Sequence, residues 1–140
     1  LYMDLNFQLS SINDTIYYIL FLEFLTALCI FIYGRYRCKH KTFIDPFQKK
    51  IKILDLDGWS ILHLVQNSVL GYLFPDYIIF IIILGVMWEV FEMYYGVFRP
   101  TFLEGWGHCS SDRKIWWYGK LTDIVSNILG VFMGSYIKTH

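Results

Sequence analysis

Charge is scarce in this chain. Asp, Glu, Lys and Arg make up 17% of its 140 residues, whereas a soluble domain carries about 25%. Hydrophobic residues reach 56% and aromatics 20%. That balance is wrong for a water-soluble globule and suits a small membrane protein. Neither sign of charge prevails, since twelve basic residues meet twelve acidic ones, so no basic surface offers itself to nucleic acid. Three cysteines cannot form a closed disulfide set and are not spaced as a framework. Proline occurs three times, and there is no internal repeat or low-complexity linker. Disorder, coiled coil and collagen are excluded by the same composition. The length suggests a single membrane domain over residues 1–140.

An α-helix crosses the hydrocarbon core in about 20 residues. Thr15–Tyr33 fits, with Glu23 as its only charge, and Tyr77–Phe98 fits best, meeting no charge before Glu89. Gly58–Phe74 and Leu121–Ile137 sit at the short limit and carry polar residues. They fit a bundle in which those side chains face other helices rather than lipid. Phe74-Pro75-Asp76 separates the second and third spans as a tight hairpin, because proline stops a helix. The expected fold is therefore all-α: a polytopic, multi-pass integral membrane protein built as a four-transmembrane-helix bundle. The first span does not read as a signal peptide, because residues 1–14 hold no Lys or Arg.

Eleven of the twelve basic residues fall in 34–57 and 99–120. Four spans place these two connections on one side. The charge rule then puts them in the cytosol and both ends of the chain outside. Trp59, Trp106, Trp116 and Trp117 read as interfacial anchors. Cys38-x-His40 and His108-Cys109 share that side, which allows a zinc clip, although the spacing is not a common one.

The polar residues within the spans converge. At 1.5 Å per residue, His63 lies roughly 8 Å from the basic end of its span, Glu92 and Glu89 roughly 9 and 14 Å, and Asp123 and Asn127 roughly 3 and 9 Å. Glu89 and Glu92 share a helix face, as do Asp123 and Asn127. His63, Asn67 and Gly71 form a third stripe, and Gly130-x-x-x-Gly134 gives a small face for close helix approach. Three polar stripes at one depth describe an intramembrane pocket. Carboxylates so close repel unless a proton or cation sits among them. A hard divalent metal, Ca²⁺ or Mg²⁺ in preference to zinc, is the natural occupant. In the headgroup region it would engage a lipid phosphate, with His63 as general base on a hydroxyl. Glu23 lies mid-span without an obvious partner.

His63, then Trp88-Glu89-x-x-Glu92, then Pro100-x-Phe102-x-Glu104-x-Trp106, then Asp123 and Asn127 with Gly130 and Gly134, resemble the core of the base-exchange phosphatidylserine synthases over about residues 58–136. The resemblance implies phospholipid headgroup transfer with Ca²⁺, a membrane phospholipid and a small alcohol such as serine as substrates, and no nucleotide. It implies metal ligands at Glu89, Glu92, Glu104 and Asp123, a base at His63, and a supporting hydrogen bond from Asn127. A second resemblance competes. The run Asp123-x-x-x-Asn127-x-x-Gly130-x-x-x-Gly134 is also similar to small four-span proteins of the VanZ-like type. That likeness implies a non-enzymatic protein that binds lipid or serves as a membrane-complex subunit. A homo-oligomer is compatible with either.

Overall fold

The computed structural model describes residues 2–40, 44–50, 56–101, 108–109 and 119–140, with side chains from residue 12 onward. The described residues are all-helical, without a strand. They form α1 (Tyr2–Lys39), α2 (Gly58–Leu73), α3 (Ile78–Phe98) and α4 (Leu121–Thr139). The helix over the first expected span starts earlier and ends later than Thr15–Tyr33, because no Pro precedes residue 46 and the single Gly34 does not break it. Short 3₁₀ turns lie at Pro46–Gln48 and Pro75–Tyr77. At the second, Tyr77 N–H donates to the Phe74 carbonyl at 3.0 Å. This turn joins α2 to α3 where proline was expected to break the chain.

Two helical stretches are long and apolar enough to cross a membrane, Ile12–Lys39 and Pro75–Phe98. Only 6% and 22% of their most apolar windows are buried. The core helix of a soluble protein would hide that face. Here Tyr17, Phe24, Ile79 and Val97 are each more than half exposed.

α2 and α4 pack closest, and glycine is the reason. A Cβ on Gly71 would stand 2.2 Å from the Val131 carbonyl oxygen, one on Gly134 1.8 Å from that of Ser68, and one on Gly130 2.5 Å from that of Leu64. The two backbones touch directly, as a small-residue face permits. Ile19 of α1, Leu70, Ile81 and Val131 form a core that draws on all four helices. A second cluster joins Trp59 and Tyr95 to Tyr33 and Phe47. Trp59 is thus 8% exposed and is a packing residue rather than the expected interfacial anchor. Its ring stands 5.6 Å from Tyr33 and 5.3 Å from Phe47. Trp106, Trp116 and Trp117 lie outside the described residues.

Asp45 fastens the connection after α1. It is 6% exposed and caps the first 3₁₀ turn through Phe47 N–H at 2.9 Å. It also accepts from Tyr33 Oη at 2.7 Å, from Trp59 Nε1 at 3.4 Å and from the Arg37 guanidinium. One carboxylate therefore ties α1, the connection and α2 together.

Candidate functional site

The site is assembled at the end where α2 and α4 begin and α3 finishes. Asp57 caps α2, accepting Ser60 N–H at 3.1 Å, the ordinary way to satisfy a first-turn donor. Its other oxygen receives the ammonium of Lys120, the residue at the start of α4. Ser60 Oγ donates to Asp123 in the first turn of α4. These contacts set the register of α2 against α4.

One turn deeper, His63 Nδ1 lies 3.0 Å from Asn127 Oδ1 and 3.4 Å from Glu89 Oε1. Asn67 Nδ2 donates to Asn127 Oδ1 at 2.7 Å and to the His63 carbonyl at 2.9 Å. Asn127 Nδ2 donates to Glu89 Oε1 at 3.3 Å, and Lys120 N–H to Glu89 Oε2 at 3.4 Å. The amide of Asn127 thus presents its nitrogen to α3 and its oxygen to α2. Facing that oxygen, His63 Nδ1 must carry the proton, which leaves the lone pair on Nε2.

Asp123, Glu89 and Asn127 are at most 2% exposed. One ligand atom each from His63, Glu89 and Asp123 lie within 4.8 Å of one another. Three helices therefore bring an imidazole and two carboxylates to one place. The donor set fits a hard divalent cation. The two carboxylates would supply anionic oxygens to such an ion. Among the described residues Glu92 is not in that group. It is 1% exposed, one turn further along α3 on the face of Glu89. Glu104 lies outside the described residues.

A cavity of about 430 Å³ opens beside the site, walled by α1, α2 and α3, within the usual 300–1,000 Å³ of a small-molecule pocket. Ile30, Leu62, Val65, Leu84 and Trp88 make it largely apolar, while His63, Asn67 and Asn127 reach it from one side. Glu23 has a partner here: Gln66 Nε2 donates to its Oε2 at 2.8 Å, and both residues line the cavity.

Ser60, Lys120 and Gln66 were not singled out from the sequence as part of this network. The signal available was Asp57, an N-cap residue type directly before the span start at Gly58, and nothing in the sequence marks Ser60 itself. Gln66 follows His63 by three positions and precedes Asn67, yet adjacent positions on a helix point in different directions, so its neighbour said nothing of its partner.

The cysteine reading needs correction. Cys38 and Cys109 form a disulfide across 71 positions, with Cα atoms 5.5 Å apart, and Cys29 is free. Their sulfurs are bonded to each other and hold no zinc. His108 instead shares a 2.8 Å hydrogen bond with Tyr95 Oη. Distant cysteines, one at a helix end and one in a loop, have no spacing that announces such a bond.

No family model, no curated protein and no solved structure matches the chain.

Proposed function

We propose that the chain is a multi-pass integral membrane protein whose four helices all cross the bilayer, and that it transfers phospholipid headgroups with the help of a divalent cation, Ca²⁺ foremost. The observation that carries this reading is the meeting of His63, Glu89 and Asp123 from three helices within 4.8 Å. The outward apolar faces of α1 and α3 support the membrane setting. α2, with 16 residues, is roughly 24 Å long and α4, with 19, roughly 28 Å. Both fall short of a core of about 30 Å, and both bury polar residues on inward faces, Ser60 and Asn67 on α2 and Asp123, Ser126 and Asn127 on α4. The apolar cavity beside the site suits an acyl chain, and its polar wall suits the head of the same lipid.

A bound cation would neutralise the phosphate and polarise its phosphorus–oxygen bonds. Glu89 and Asp123 would hold it, while Asn127 orients His63 and fixes its tautomer. Nε2 of His63 accepts the proton of the incoming hydroxyl. The oxygen–phosphorus bond to the acceptor forms as the bond to the old headgroup breaks, and the departing alkoxide takes the proton. This chemistry is similar to that of the base-exchange phosphatidylserine synthases.

One observation favours a second reading. Asn127 is hydrogen-bonded to both Asn67 and Glu89 across the helices, as in a purely structural network. A non-enzymatic, VanZ-like lipid-binding subunit needs no more. The purified protein in phospholipid vesicles with Ca²⁺ and labelled serine separates the two. Headgroup exchange or release, lost in His63→Ala and Asp123→Asn, is the expected result. Unchanged lipid, with folded protein, would leave the second reading.

A further inference from the structure

We infer that the end of the molecule carrying the basic connections, the disulfide and the candidate site faces an oxidising compartment, the opposite of the orientation that its Lys and Arg residues alone suggest. The inference rests on the membrane reading above. Cys38 stands at the end of α1 and Cys109 between α3 and α4. Wherever the membrane lies, the two sulfurs share one side of it. Cys109 is also held in place independently. Its neighbour His108 is hydrogen-bonded to Tyr95, a fully buried residue of α3. The bond is therefore part of the packed end of the molecule and not a contact between loose tails.

Cytosolic thiols are kept reduced, and stable disulfides belong to secreted, lumenal or periplasmic faces. Forming this bond removes two electrons and two protons from the two thiols. They pass by thiol–disulfide exchange to a disulfide-bearing oxidant, which leaves as its dithiol. The charge rule points the other way, because it counts basic residues whatever their partners. The folded state engages some of those charges: Arg37 with Asp45 and Lys120 with Asp57. Charge bias is a tendency of insertion, whereas a covalent bond between these positions requires an oxidant on their side.

The test uses the full chain in intact membranes. Free thiols are blocked in denaturant, the protein is then reduced, and newly exposed thiols are counted by the mass added with a polymer-linked maleimide. Two additions after reduction, absent from Cys38→Ser, are expected. No addition after reduction would overturn the inference. A Cys29→Ala, Cys38→Ser variant leaves Cys109 as the sole thiol for a membrane-impermeant maleimide applied to sealed vesicles of known orientation. Labelling from the cytosolic face would also overturn it, and labelling from the opposite face is the expected result. Alkaline carbonate extraction tests the membrane reading separately. Release of a disulfide-bonded chain into the supernatant would sink that reading and the orientation with it, whereas a pelleted chain with reduced thiols would sink the orientation only.

Discussion

Replacing Gly130 by alanine should separate α2 from α4 beside the candidate site. The added Cβ would stand 2.5 Å from the Leu64 carbonyl oxygen and 3.0 Å from Asn67 Cβ. The first of these is backbone of α2 and cannot rotate away. Restoring ordinary contact near 3.4 Å calls for a separation of roughly 0.9 Å, well beyond what a close-packed contact absorbs. Gly130 lies three positions from Asn127 and Leu64 next to His63, so the 3.0 Å His63–Asn127 contact opens past hydrogen-bonding range if that shift is shared along the interface. Overpacking of this kind costs about 1–3 kcal/mol. The assay is thermal unfolding in detergent micelles, with Val69→Ala, a half-exposed position on α2, as the control. A clear fall in midpoint for Gly130→Ala and little change for the control are expected. An unchanged midpoint for Gly130→Ala would refute direct backbone contact between the two helices.

Further outcomes follow from the same contacts. Asp45→Ala should destabilise the chain by about 2–3 kcal/mol, since hydrogen bonds to a charged group are lost and buried partners are left behind; chemical unfolding of the purified protein measures it. Asn127→Leu strips Asn67 and Glu89 of a shared partner and should lower stability by about 1–3 kcal/mol per orphaned group, with loss of any headgroup activity in the vesicle assay. Reduction of the disulfide should lower the unfolding midpoint. Loop closure over 71 positions is worth about 4.4 kcal/mol by chain entropy, and less where a bilayer already restrains the unfolded chain.

Much of the helical plan was legible because hydrophobic length and proline position are strong local signals. The expected start at Gly58, the break at Pro75 and the start at Leu121 coincide with observed element boundaries. The meeting of His63 with Glu89 and Asn127 was also legible, since helix rise fixes depth and spacing fixes face. Less visible were contacts that depend on which helix lies beside which. Glu23 pairs with Gln66 only because α1 packs against α2 at that height. Asp45, in the connection, gathers Tyr33 and Arg37 of α1 together with Trp59 of α2, and no periodicity encodes that meeting. The disulfide is the clearest case. Its two cysteines are far apart in sequence, and only the folded ends of α1 and α3 make them neighbours.

The most direct test of the proposed site is cation binding by the purified protein, followed by the spin-resonance signal of free Mn²⁺ as a stand-in for a hard divalent ion. One saturable site per chain is expected, lost in Glu89→Gln and Asp123→Asn and displaced by Ca²⁺. Absence of saturable binding, or binding that survives both substitutions in folded protein, would contradict the assignment of Glu89 and Asp123 to a shared cation.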